Sequence, residues 1–193
     1  MLDIHSLTDL PARLLASPGD AVLLALLAAA AAIDWRTYRI PNWLTVGGMT
    51  FGLLYNAASQ GLQSGLLPAL AGLAAGLVLL LPLYALRVMG AGDVKLMAMV
   101  GAFLGISQIA YVVLCTFIAG GVAAIVFALY HRAARRMAGN VAETVQSMAF
   151  AAMAGVRPTP ELPRRASVGK LPYAISIFAG TTVWLLATLA GLT

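Results

Sequence analysis

"RVMGAGDVKLMAMVGAFLG", residues 87–105, decides how this chain folds. It sets Asp93 between two glycines and Lys95, then runs apolar to Gly105. A carboxylate is costly in hydrocarbon, so an ionisable residue at the head of such a run marks a functional position. Composition says what surrounds it. The 193 residues are 61% hydrophobic and 10% charged, with a mean hydropathy of +0.91, whereas soluble domains carry about 25% charged residues. The chain reads as an all-α, polytopic membrane helical bundle forming one domain over 1–193.

Working outward from this stretch, apolar runs appear on both sides, to be set against the roughly 20 residues that a span needs. The first is 21–33, extended outward by Leu14 and Leu15, then 42–58 and 66–89, with the uncharged turn SQGLQSG between the last two. Residues 94–130 hold no charge after Lys95, too long for one span and suited to two, breaking at 105–108 and leaving span four short. Residues 171–192 make the sixth. Six spans with the N-terminus outside place 34–41, 87–95 and 131–170 on the inner side. Of the 12 Lys and Arg residues, all but Arg13 fall there, the asymmetry of positive-inside topology. The segment ahead of the first run carries Asp3, Asp9 and Asp20 against Arg13, unlike the basic start of a secretory signal. The inner loop 131–170 opens with the basic cluster HRAARR, suited to anionic headgroups. Asn140 and Glu143 predict a capped helix to Ala154 lying on the membrane surface.

The +5 net charge follows from topology and implies no nucleic-acid partner. A single Cys115 and two distant histidines offer no metal-ligand spacing and no disulfide. No cofactor is implied.

Parity supplies the chemistry. Asp34 ends span one, Asp93 opens span four, and the two spans between them bring both carboxylates to the inner face. Two close aspartates share a proton. One then acts as general base on a water while the other donates to a substrate carbonyl, the chemistry of aspartic peptide hydrolysis. Gly90 and Gly92 leave room for a substrate backbone beside Asp93. Pro41 disfavours helix at Ile40 and starts span two. Lys95, two residues past Asp93, points to another face of the helix and reads as a topology anchor. Trp35 and Trp43 fit the interfacial aromatic belt, and Gly72 with Gly76 fits close helix packing.

At these residues the sequence resembles the type IV prepilin peptidases, GxGD-type intramembrane aspartic proteases. "DWRTYRIPN" (34–42) and "GAGDVKL" (90–96) look like the family's two signatures, and "KLPYAISIFAG" (170–180) is similar to its last-span segment. The resemblance implies that Asp34 and Asp93 are the catalytic pair. Gly90, Gly92, Pro41, Asn42, Lys95, Pro172 and Tyr173 are then expected to shape the site or contact substrate. It also implies a prepilin or pseudopilin partner whose short basic leader is cut at the cytoplasmic face of a bacterial inner membrane, with lipids around the enzyme. Larger members carry a cysteine-rich cytoplasmic insertion and N-methylate the product. This chain has no cysteine pairs and resembles the short TadV/CpaA-like form that processes Flp-like pilins. Oligomeric state and methylation stay open.

Three other classes compete. A proton-coupled transporter would place ionisable groups at several depths, and a metal-dependent lipid phosphotransferase would need a denser acidic cluster. A non-enzymatic assembly subunit of a pilus or secretion system would tolerate loss of either aspartate's charge.

Overall fold

The computed structural model describes residues 17–86, 88–130 and 172–192, and side chains as far as 126 in the second segment. The expected surface helix at 140–154 lies outside the described residues. The chain divides into two compact units, 1–120 with 172–193 and 121–171. The described part of the second is the end of one helix.

Among the described residues six α-helices and no strands occur: α1 (Pro18–Thr37), α2 (Asn42–Gly61), α3 (Leu67–Ala85), α4 (Ala91–Leu104), α5 (Ile106–Tyr130) and α6 (Tyr173–Leu189). Three helical stretches of the described residues are long and apolar enough to cross a membrane: Pro18–Thr37, Asn42–Ala85 and Ile106–Val126. The second, at 44 residues, has the length of two crossings. Gly61 divides it. Its φ of 82° lies in the left-handed region that favours glycine, and the π-helical turn Leu62–Leu66 follows. The expected turn is therefore sharper than its seven uncharged residues suggest: α2 stays helical through Ser59 and Gln60, and one glycine breaks the helix. The break before α5 is likewise a single residue, Gly105, with φ 77°.

The first unit is built around α4. Leu96, Met97, Ala98, Met99, Val100 and Ala102 are all fully buried, the signature of a helix apolar all round and covered on every side. Its 14 residues span about 21 Å, short of the roughly 30 Å hydrocarbon core. It packs chiefly on α3 and α2, while α1 packs chiefly on α6. Small residues make the contacts close. A methyl added at Gly72 would strike the Gly101 carbonyl oxygen, and one at Gly76 would come within 2.7 Å of the Met97 carbonyl oxygen. The expected glycine spacing thus has a partner, α4. Gly48 and Gly52 repeat that spacing on α2, where Met99 and Phe103 of α4 take up the room. Asn56, buried at the end of α2, donates from Nδ2 to the carbonyls of Ala102 (3.0 Å) and Phe103 (3.0 Å), and so satisfies the last turn of α4. On the other side, Gly180 of α6 meets the Thr116 backbone of α5. Trp184 stacks on Tyr111 with centroids 4.7 Å apart and donates Nε1–H to Gln108 Oε1 at 3.1 Å.

Candidate active site

Asp34 occupies the last turn of α1. Helix continues past it to Thr37 and stops at Tyr38, whose φ of 51° is the described chain's one non-glycine left-handed residue. The Tyr38 N–H donates to the Asp34 carbonyl at 2.8 Å, closing the helix. The side chain of Asp34 is 6% exposed, while Trp35, Arg36 and Arg39 around it face outward. Its carboxylate accepts the Ala174 N–H at 3.3 Å. That amide belongs to the first turn of α6, whose N–H groups have no intrahelical partner, and Pro172 caps this end. A helix N-terminus thus meets the carboxylate.

Asp93 sits at the third position of α4. Gly90, extended at φ −77° and ψ 152°, precedes the helix, and its N–H donates to Asp93 Oδ2 at 3.2 Å. The aspartate caps its own helix from within, as the third residue of a capping box does. Gly90 is exposed and Gly92 half-buried, so access to Asp93 runs over backbone rather than side chains.

Two contacts join these segments, and a Coulombic coupling adds to them. A methyl at Gly92 would come within 3.2 Å of the Ile40 Cβ, so the bend after α1 is seated on the glycine. Lys95 Nζ donates to Asn42 Oδ1 at 2.9 Å. Asp93 lies within Coulombic reach of both Asp34 and Tyr173. Tyr173 is half-buried, its hydroxyl 3.2 Å from where a Gly120 methyl would stand. Pro41 is the N-cap of α2, one residue earlier than a first-turn position.

All nine residues singled out in the sequence therefore gather at one end of the first unit. Asp34, Asp93, Gly90 and Tyr173 surround the carboxylates, Pro41 and Pro172 start the neighbouring helices, and Gly92, Asn42 and Lys95 hold the two motif segments together. Lys95 has a specific partner, Asn42, which its spacing from Asp93 did not name. Ile40, Ala174 and Gly120 were not singled out. Ala174 acts through its backbone, and the other two contribute only shape, so none carries a chemical signature.

Two carboxylates, a phenol and helix N-terminal N–H groups suit proton transfer and hydrogen bonding to a carbonyl. Among the described residues no three His, Cys, Asp or Glu side chains gather as a metal site. A polar cavity of about 500 Å³, lined by Asp20, Asn56, Ser59, Gln60, Ser107 and Gln108 among others, lies at the opposite helix ends and is separate from this site.

The comparisons with known proteins address the same segments. No solved structure matches the chain. A protein of Dickeya chrysanthemi named prepilin leader peptidase/N-methyltransferase is 36% identical over 142 residues, covering 67% of this chain and 49% of that protein. One of the same name from Neisseria gonorrhoeae is 38% identical over 114 residues, covering 56% of this chain and 40% of its own length. The chain thus spans about half the length of the curated relatives it matches. The type IV leader peptidase family matches residues 21–125, which include both aspartates and most of the described helices. The chain belongs to the type IV leader peptidase family.

Proposed function

We propose that this chain is a membrane-embedded aspartic endopeptidase that removes the short basic leader of Flp-like prepilins. Asp34 and Asp93 are its reacting pair, at the cytoplasmic face of a bacterial inner membrane. One observation supports the reading: in a member of a leader peptidase family, Lys95, two residues past Asp93, bonds Asn42 at the end of the bend that leaves Asp34, so the segments that carry the two aspartates are joined.

The chemistry follows from a pair that holds one proton between two carboxylates. The ionised member takes a proton from a water, whose oxygen bonds to the scissile carbonyl carbon. The protonated member donates to the carbonyl oxygen as the tetrahedral intermediate forms. Collapse returns the carbonyl, breaks the C–N bond and delivers a proton to the leaving amine, so the pair ends with the one proton it began with. Gly90 and Gly92 give the substrate backbone passage to Asp93. Pro41, Pro172 and Tyr173 shape the walls, and the Ala174 N–H steadies Asp34 in its charged form.

The test is leader cleavage of a co-expressed small Flp-type prepilin, read as a gel shift. Asp34→Asn and Asp93→Asn each abolish processing while protein levels in the membrane stay normal. Processing that persists in either variant removes that residue from the mechanism and favours an assembly or transport role.

A further inference from the structure

The hydrogen bond between Lys95 and Asn42 ties together two segments 53 residues apart in sequence, each of which carries one aspartate. Lys95 lies two residues past Asp93 on α4. Asn42 opens α2, immediately after the bend that leaves Asp34. We infer that Lys95 is a positioning residue: its bond to Asn42, with the seat Gly92 gives Ile40, fixes the 38–42 bend on α4 and so sets the separation of Asp34 from Asp93. This rests on the reading of those two aspartates as the reacting pair.

The anchor on the α2 side is firm. Thr45, 1% exposed, donates its hydroxyl to the Asn42 carbonyl at 3.1 Å, so a pull on Asn42 acts on the first turn of a packed helix. The bend itself is short and carries little structure of its own. Residues 38–41 form no helix or strand, Tyr38 is left-handed, and the Thr37 hydroxyl bonds the carbonyls of Ile33 and Arg39 within the turn. Two contacts tie it to α4, the apolar Ile40–Gly92 seat and the Lys95 bond to Asn42 at its end, a charge-assisted hydrogen bond. The seat resists approach, because Gly92 has no side chain to yield, and the hydrogen bond resists withdrawal. The two together define a distance rather than only a limit.

The chemistry of the pair suits this role better than substrate contact. Lys95 donates to a neutral amide oxygen, a charge-assisted bond of directional geometry. An ammonium is a poor recognition group for a leader that is itself basic, since like charges across an interface repel. Positioning also makes the bond's value larger than its own free energy. Misplacement of reacting groups by about 1 Å can lower a rate by about a hundredfold.

Two readouts test the inference on the full-length protein in membranes. The first needs no substrate. Ile40→Cys and Gly92→Cys are combined in a Cys115→Ser background, and disulfide formation is followed after addition of copper phenanthroline. Cross-linking is fast with Lys95 and with Lys95→Arg, and Asn42→Asp preserves it through an ion pair. Lys95→Met slows it by about tenfold, the weight of one charge-assisted hydrogen bond. An unchanged rate in Lys95→Met overturns the inference whether or not the protein cleaves anything.

The second readout is cleavage of the Flp-type prepilin. Lys95→Met lowers kcat by about tenfold or more with KM within about twofold, and adding Asn42→Ala lowers it little further, because both changes remove one bond. A loss confined to KM assigns Lys95 to substrate binding and overturns positioning. So does a loss explained by lower membrane levels, or multiplicative losses in the double variant. If the wild-type protein cleaves no prepilin, the proposed activity falls, while the cross-linking rate still decides whether Lys95 holds the bend.

Discussion

Substituting Gly72 by alanine adds one methyl where α3 meets α4, and the two helices there touch through backbone. The methyl would strike the Gly101 carbonyl oxygen and come within 2.7 Å of the Gly105 Cα. No rotamer relieves this, since neither neighbour is a side chain. The helices part by about 1 Å to restore ordinary van der Waals separation, and the contacts that bury α4 loosen along its length. Overpacking of this kind costs about 1–3 kcal/mol. Gly47 on α2 is the matched control: it also lies inside a helix, but a methyl there meets nothing within 4 Å. At that site alanine gains about 0.5–1 kcal/mol of helix preference. The two single-methyl variants therefore differ by about 1.5–4 kcal/mol, or roughly 3–15 °C in Tm for a chain of this size. Cys115, the one cysteine and half-buried, reports unfolding in detergent through a thiol-reactive fluorophore. Gly101→Ala behaves like Gly72→Ala, and the two together cost less than twice one, because both wedge the same contact. Equal Tm values for Gly47→Ala and Gly72→Ala refute the claim that backbone contact holds α3 to α4.

Two further outcomes follow from buried polar contacts. Asn56→Ala leaves the Ala102 and Phe103 carbonyls at the end of α4 without their donor and lowers stability by about 1–3 kcal/mol. Asn56→Asp lowers it more, because an acceptor then faces acceptors; the same thiol assay ranks the two, and the reverse order is inconsistent with a donor role. Trp184→Phe keeps a ring against Tyr111 but removes the donor to Gln108, for a loss of about 1 kcal/mol. Gln108→Leu in that background adds little if the bond is the whole effect, as a double-mutant cycle in Tm measures.

Much of this arrangement was legible because it is written in side-chain type and spacing. The apolar runs located the helices, since only a continuous helix satisfies every backbone group within one segment in lipid. Gly72 and Gly76 announced a close contact, although spacing alone does not name the partner; the same spacing at Gly48 and Gly52 was not singled out, though these glycines meet α4 as well. Asp34 and Asp93 were matched by counting helices between them. What stayed hidden acts through backbone or reverses a local rule. The charge at Asp34 suggested the end of a helix, yet α1 runs on to Thr37 and closes on Tyr38, a left-handed residue that its side chain does not advertise. The SQGLQSG segment looked like a loop, but its polar residues stay in α2 until Gly61 breaks the helix. The spacing rule for Lys95 said which face it avoids and was silent on what lies 53 residues away. Ala174 binds Asp34 through an amide common to every residue.

The packing explains why a few polar contacts can govern this site. Asp93 rides on α4, which is held mainly by α2 and α3, whereas Asp34 rides on α1, which is held mainly by α6. Each aspartate thus sits within its own group of helices, and each single pair that joins the groups, α1 with α2, α1 with α4 or α4 with α6, shares less contact than α4 does with α2 or α3, or α1 with α6. Non-directional packing tolerates small sliding between such groups. Register between the carboxylates is then set at the 38–42 bend, which joins the two groups: Ile40 against Gly92 seats the bend on α4, Lys95 fixes its far end at Asn42, and the Ala174 N–H holds Asp34 on α6. Each is individually modest. Their removal is expected to change the placement of two carboxylates before it changes stability, so Lys95→Met should separate activity from Tm in a way that Gly72→Ala does not. A Tm loss in Lys95→Met as large as that of Gly72→Ala would show instead that the two helix groups are held together by the same bonds that align them.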